Sequence, residues 1–348
     1  MSATIDDVAE ECGLSRATVS RVLRNSPNVS KKSRLLVEKA IAKIGYQPNQ
    51  MARSLAQGYS NMVALIMGNI SSYAQIEIAK TIQKILYEHG FMVLLCNSDY
   101  KTNLCDEYLD TANANKVAGA FLVTISATPQ KIAQVAQSNL PIVMVNRHDT
   151  AVNCDSVISD DEKAAYQAVK QLVSLGHREI VLLSVPQSYI AGRNAYWGYR
   201  TALEDSGIKF DESSVYNIDI NAYSDVLNTR QTFDASYVFK EHPSVTAAVC
   251  LVNEIAVDFY SQCKTLGKSI PHDLNMVVLD PVQPTDFQDF VFTTCGVSQQ
   301  SLGEAAANQM LHRIESRRAV KDGTSAPAAY IVLEPQYVEG SSTSELKK

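Results

Sequence analysis

Residues 4–23 read Thr4-Ile5-Asp6-Asp7-Val8-Ala9-Glu10-Glu11-Cys12-Gly13-Leu14-Ser15-Arg16-Ala17-Thr18-Val19-Ser20-Arg21-Val22-Leu23, and their spacing decides how the chain begins. Ile5, Val8, Ala9 and Cys12 recur at helical intervals, so a short helix carries one apolar stripe. Thr4 is placed to cap it, and Asp6 and Asp7 fall in the first turn, where the helix dipole favours negative charge. Gly13 ends this helix and Ser15 can cap the next. The second helix, 16–23, turns Val19, Val22 and Leu23 inward and leaves Arg16, Ala17, Ser20 and Arg21 facing out. Asn25-Ser26-Pro27-Asn28 is turn chemistry. Ser30 then caps a third helix over 31–44, with Leu35, Leu36, Val37, Ala40, Ile41 and Ile44 as its apolar side, and Gly45 stops it.

Two short helices joined at a glycine and braced by a third make a helix-turn-helix unit, which lays its second helix in the major groove of DNA. Arginine suits the acceptor edge of guanine, and hydroxyls and amides suit phosphates. The charge distribution agrees. Residues 1–60 hold nine Lys/Arg against five Asp/Glu, whereas the remainder holds 22 against 32. Cation is concentrated where phosphate contact would occur, so any binding of nucleic acid belongs to the head. The competing reading of the same pattern is a small helical bundle with an ordinary solvated face.

The wording favours the first. Ile5-Asp6-Asp7-Val8-Ala9, Leu14 through Leu23, Val29-Ser30, Ile44-Gly45-Tyr46-Gln47-Pro48-Asn49 and Ala52-Arg53-Ser54-Leu55 resemble the head and hinge of the LacI family of bacterial repressors. The resemblance implies a homodimer that binds a pseudo-palindromic operator in double-stranded DNA and answers to a small-molecule effector, a sugar or sugar derivative. It places Arg16, Ala17 and Arg21 at base-reading positions. It places Ser15, Thr18, Ser20, Asn25, Asn28, Ser30 and Tyr46 at positions that hold phosphates. The bland alternative for Arg21 is a surface ion pair. Asn49 would cap a hinge helix over 50–56, with Ala52 and Arg53 matching the family and Leu55 as a wedge in the minor groove, where unstacking is exchanged for a bent duplex. The alternative for 46–60 is a plain linker.

At 348 residues, 46% of them apolar, the chain is expected to form two or three units with large cores. No apolar run approaches the roughly 20 residues of a membrane helix. The N-terminus enters its helical pattern almost at once, so no secretory signal is expected. The seven cysteines are scattered with no CxxC pair, which fits a reducing cytosol and argues against a disulfide framework or zinc site. No metal or cofactor is expected, and the protein is placed in the cytoplasm.

From Met62 the rhythm changes. Strands at 62–67, 92–96, 119–123 and 142–145 alternate with helices at 75–89, 104–115 and 129–138. A second set follows: strands at 179–183, 247–252, 276–279 and 330–333, with helices at 162–175, 191–206, 229–242, 255–266 and 302–317. Apolar strands alternating with helices mean parallel, doubly wound sheets. The fold expected is an N-terminal all-α helix-turn-helix head plus an α/β core of two doubly wound parallel-sheet subdomains, periplasmic-binding-protein-like. The head spans 1–45, the hinge 46–60, the effector-binding and dimerisation core 61–340 and the tail 341–348. The family resemblance continues more thinly at Asn69-Ile70-Ser71-Ser72, Leu175 to Ile180, Gly198-Tyr199, Ile270 to Asp273 and Thr293-Thr294. It implies three crossings between the halves, expected near 158, 290 and 318. That assigns 61–158 and 291–318 to the N-subdomain, and 159–290 and 319–340 to the C-subdomain. The tail has no heptad repeat, so a dimer is the default.

Ligands of open α/β sheets bind at the carboxyl ends of strands, and two facing edges form a clamp that closes by hinge motion. The candidates there are Tyr73, Gln75, Asn146, Arg147, Arg193, Asn253 and Asp280, of types that pair hydroxyls or cover an apolar face. Each has a loop cap or hinge hydrogen bond as its alternative. Three departures from the family pattern stand out: Ala195 where many relatives have arginine, Asn253-Glu254 for Asn-Asp, and Asp280 followed by Pro281. Arg147, with His148 and Arg193 nearby, suggests an anionic effector, a sugar acid or sugar phosphate, since guanidinium grips such groups in a fork. A nucleoside or purine is the alternative effector, and a sugar receptor without DNA function the alternative protein. Gly267-Lys268-Ser269 lacks the upstream glycine of a phosphate loop, and no catalytic motif occurs, so an enzyme is not expected.

Overall fold

The structure is a computed structural model, described here for residues 3–23, 29–46, 60–125, 127–148, 151–219, 233–281, 290–319 and 327–346. Its contacts divide the chain into two units, 1–60 and 61–348.

The first unit contains α1 (Ile5–Cys12), α2 (Arg16–Leu23) and α3 (Lys31–Ile44). Thr4 forms a capping box with Asp7: its hydroxyl accepts from the Asp7 N–H, and the Asp7 carboxylate accepts from the Thr4 N–H at 2.7 Å. That hydrogen bond holds the Asp7 carboxyl below the usual range. Gly13 and Gly45 close α1 and α3 in the left-handed conformation, at φ 66° and 64°, which a side chain would strain. Val8, Val19, Val22, Val37 and Ala40 form the buried core. Leu35 and Leu36, expected on the inner side of α3, are exposed. At about 100° per residue, Val37, Ala40, Ile41 and Ile44 already fill one stripe, and Leu35 projects from the opposite side of the helix.

The second unit holds two six-stranded sheets. In the first the order is β2 (Met92–Asn97), β1 (Met62–Met67), β3 (Gly119–Val123), β4 (Ile142–Val145), β5 (Asp155–Ser159) and β11 (Tyr330–Leu333), all parallel. In the second it is β7 (Val215–Asn217), β6 (Ile180–Ser184), β8 (Ala247–Cys250), β9 (Asn275–Val278), β10 (Thr293–Gly296) and β12 (Gln336–Val338), parallel except for the antiparallel β10/β12 pair. Helices α4 (Tyr73–Glu88), α5 (Thr102–Ala114), α6 (Pro129–Gln137), α7 (Asp161–Ser174), α8 (Ile190–Glu204), α9 (Ser236–Glu241), α10 (Asn253–Thr265) and α11 (Gln299–Ala319) connect the strands. Strands β3, β4, β6, β8 and β9 are buried along their whole length, as expected of strands covered on both faces.

Sheet membership corrects the expected crossings. β10 belongs to the second sheet and α11 packs on α4, β4 and β5 of the first, so the second crossing lies at 297–298 rather than 290. β11 belongs to the first sheet and β12 to the second, so the third crossing lies at 334–335 rather than 318. The reason is the parallel partnering of Tyr330–Leu333 with Ser156–Ser159, a strand whose mixed Asp-Ser-Val-Ile-Ser composition hid it. The helix expected over 229–242 is described only as α9.

Two packing features set the core. Tyr199 on α8 is fully buried, donating to the Ile180 carbonyl at 2.7 Å. Beside it, Gly198 lets α8 close onto α7: a Cβ there would come within 1.9 Å of the Glu162 carbonyl oxygen. In the first half, buried Asp155 receives Arg313 Nε at 2.6 Å and Nη2 at 2.5 Å, Gln309 at 2.7 Å and the Ala329 N–H at 2.8 Å. Burial pushes this carboxyl up, but those donors outweigh it and hold it below the ordinary range. The cluster ties α11 and the start of β11 to β5.

Candidate functional site: the cleft between the two sheets

Both sheets have the doubly wound order in which the first strand lies between the second and third, and that reversal opens a crevice at the carboxyl ends. The two crevices face one another across a cavity of about 220 Å³. Its wall is built largely from residues just past strand ends: Asn69 after β1, Thr124 after β3, Asn146 after β4, Val185 after β6, Leu251 after β8, Asp280 after β9 and Val297 after β10. First-turn residues of helices complete it, among them Asp161 of α7, Glu254 of α10 and Gln299 of α11.

The backbone is strained at this rim. Tyr100, Thr124 and Asn146 line the cavity with φ of 58°, 55° and 52°. Asparagine tolerates that region, but tyrosine and β-branched threonine rarely enter it, and such strain collects where a ligand is gripped. Tyr100 is held by the Gln75 amide, which donates to its hydroxyl at 2.8 Å. Burial pushes that hydroxyl up to about 12.

The electrostatics are dominated by acids. Burial, reinforced by Glu254, pushes the Asp280 carboxyl up to about 7, against the Gln299 amide, which donates to it at 2.6 Å, and the Asn253 N–H. Burial likewise raises Asp161 to about 6, opposed by the Ser159 hydroxyl at 2.5 Å. Glu254 accepts from the Ser72 hydroxyl at 3.2 Å, a bond between the start of α4 in the first half and the start of α10 in the second. Arg147 supplies the cationic side, with the His148 ring beside it. Four buried atoms on or beside the wall lack a partner among the described residues: Asn146 Oδ1, Gln299 Oε1, Asn253 Oδ1 and Arg147 Nε.

In the first unit the outward face of α2 carries the side chains expected to meet DNA. Ser15, Arg16, Ala17 and Arg21 are exposed, and Thr18 and Ser20 are half-buried. Arg16 pairs with Asp6 at 3.4 Å in solvent, a weak contact that a phosphate could displace. The surface pair considered for Arg21 is absent among the described residues. Ser15 accepts from the Thr18 N–H at 3.2 Å, and Ser30 caps α3 through the Ser33 N–H at 3.1 Å. Tyr46 packs against the head core. Asn25, Asn28, Asn49, Ala52, Arg53 and Leu55 lie outside the described residues.

Residues 4–49 match the family described as bacterial regulatory proteins, lacI family, and residues 62–333 match the periplasmic binding proteins and sugar binding domain of LacI family. The chain belongs to the LacI family. It is 29% identical to the HTH-type transcriptional regulator DegA of Bacillus subtilis (strain 168), over 99% of each chain. It is 27% identical to the catabolite control protein A of Priestia megaterium, over 92% of this chain and 100% of that one. The lac repressor dimer bound to operator and the anti-inducer ONPF shares its fold, with a TM-score of 0.80 at 22% identity over 99% of this chain and 100% of that one.

On this LacI-family core the structure brings Gln75, Asn146, Arg147 and Asp280 to the cavity wall and leaves Tyr73, Arg193 and Asn253 off it. Gln75 is committed internally, since its Oε1 accepts from the Asn69 N–H at 3.0 Å while its amide nitrogen holds Tyr100. Tyr73 is exposed. On α8 the face bearing Ile190, Ala191 and Asn194 meets the cavity, and Arg193 is rotated off it, so Asn194 takes the place expected of the arginine. Glu254 likewise takes the place expected of Asn253, whose N–H instead supports Asp280. Asp161, Tyr189 and Gln299 were not anticipated. For Asp161 and Gln299 the signal, polar residues opening a helix straight after a strand, lay in 159–162 and 296–299, whereas Tyr189 is the N-cap of α8, five residues past the end of β6.

Proposed function

We propose that this LacI-family member is a transcriptional repressor of carbohydrate-utilisation genes whose operator affinity is set by a sugar-like molecule in the cleft. The observation that carries this reading is the pairing, in one chain, of an exposed arginine face on α2 with a polar cavity between two doubly wound sheets. Arg16 and Arg21 reach guanine edges or phosphates of a half-site, and Ser15, Ala17, Thr18, Ser20 and Ser30 seat the helix. The relatives named above are transcriptional regulators, and no catalytic role is assigned to any residue. Among the described residues no helix is long and apolar enough to cross a membrane.

Two copies act together. Strand β2 forms an edge of the first sheet, yet Met92, Leu94 and Leu95 on it are exposed, an apolar surface suited to a second copy of the chain. The dimer presents two heads to two half-sites, and the effector acts through its differential affinity for open and closed clefts. The cavity does not favour the anionic effector expected from Arg147, because three carboxylates face a single guanidinium there.

The test is a mobility shift of the full-length protein on promoter fragments from its own genome at several salt concentrations. Binding should fall steeply with salt, and Arg21→Ala should weaken it by about 1–3 kcal/mol if it meets a base, or lower the slope of log K against log salt by about 1 if it meets a phosphate. Salt-independent binding, or a variant that binds as tightly as the parent at every salt concentration, refutes the head's assignment.

A further inference from the structure

We infer that the effector of this cleft is cationic, a polyhydroxylated molecule carrying a protonated amine of the amino-sugar type. The inference rests on the reading of the cleft as the effector site.

Two independent observations carry it. The first is charge. Asp161, Glu254 and Asp280 all face the cavity, and Asp280 feels both of the others, so they are close enough to repel. Arg147 is the one guanidinium on the same wall among the described residues. The N-termini of α7 and α10 soften the cost of Asp161 and Glu254, yet Asp161 and Asp280 still hold their protons well above the ordinary carboxylate range. A buried acid cluster of this kind is short of one positive charge. The second is hydrogen-bond valence. Gln299 is 8% exposed, and its Oε1 reaches no donor among the described residues while its Nε2 is spent on Asp280. The carbonyl oxygen of Asn146 on the wall is in the same condition, as is that of Asn253 just off it, while Arg147 Nε is the one unmet donor among the buried wall atoms of the described residues. These buried acceptors call for a donor. An ammonium supplies three and accepts nothing, and hydroxyl groups supply the rest.

A bare metal ion fits less well. Among the described residues no three His, Cys, Asp or Glu converge closely enough to hold one. The carboxylates are spread around the wall, as suits a ring with several substituents.

The experiment is calorimetric titration of the full-length protein at pH 7.5 with glucosamine, galactosamine and mannosamine, each beside its neutral parent hexose and the matching uronic acid. At least one amine should bind at least about tenfold more tightly than its neutral parent, the discrimination a charge-assisted hydrogen bond supports. Asp280→Asn and Glu254→Gln should each erase most of that preference while leaving the thermal transition cooperative. A neutral hexose or uronic acid that binds as tightly as its amine overturns the inference and keeps the cleft as a sugar site. Silence from all nine compounds overturns both the inference and the sugar-site reading. Retention of the amine preference in both variants, with folding intact, overturns the role given to the carboxylates.

Discussion

Asp280→Asn should stabilise the unliganded protein at neutral and alkaline pH. In the folded state the carboxyl faces Glu254 and Asp161, with Arg147 on the same wall, and among the described residues it accepts from the Gln299 amide and the Asn253 N–H. Raising its pKa from the ordinary 3.8 to about 7 means that the native state binds the proton more tightly than the unfolded chain does. Its contribution is therefore most favourable below the unfolded value, declines as pH rises, and reaches its full penalty above the folded value. At about 1.4 kcal/mol per tenfold change in proton affinity, the penalty is at most roughly 4 kcal/mol. Water reaching the cavity screens part of it, leaving about 2 kcal/mol at an intermediate effective dielectric. Asparagine keeps an oxygen for both donors and removes the charge. Thermal melts at pH 8 should rise by roughly 4–8 °C, taking about 2–4 °C per kcal/mol for a domain of this size. The gain should shrink towards zero near pH 4. A variant that melts at or below the wild-type temperature at pH 8, or one whose advantage does not depend on pH, refutes the reasoning.

Gly198→Ala drives a methyl group against the Glu162 carbonyl, and separating α7 from α8 should cost about 1–3 kcal/mol in a urea titration. Arg313→Ala strands a buried carboxylate on β5 and should cost about 3 kcal/mol or more by the same measurement, with the loss reduced in an Asp155→Asn background. Ser72→Ala removes a direct bond between the two halves, so X-ray scattering of the ligand-free protein should report a larger radius of gyration, while secondary structure is unchanged by circular dichroism.

The legible part of this protein is the part written in local spacing. The head could be read from Thr4, Gly13, Ser30 and Gly45, because caps and left-handed glycines act within one turn and need no distant partner. Strands β1, β3, β4, β6, β8 and β9 could be read because burial on both faces demands unbroken apolar runs. Part of the cavity wall was legible too: Asn146, Arg147 and Asp280 each lie one or two residues past such a strand. What stayed hidden was polar. The helices α4, α7, α8, α10 and α11 begin one to three residues before their apolar periodicity does, and those first-turn residues include Asp161, Glu254 and Gln299.

By itself the sequence determined that the chain has a helical, basic head and an acidic α/β core with two strand–helix series, because burial pattern and charge are properties of the residues in order. Only the tertiary structure decided which strands share a sheet. It moved two crossings, through the pairing of β11 with β5 and of β10 with β9. It also decided which of two adjacent helical residues faces the cleft, choosing Asn194 over Arg193 and Glu254 over Asn253. One residue is about 100° of helix rotation, and the direction of that rotation is set by the partner a helix packs against, which lies far away in the chain.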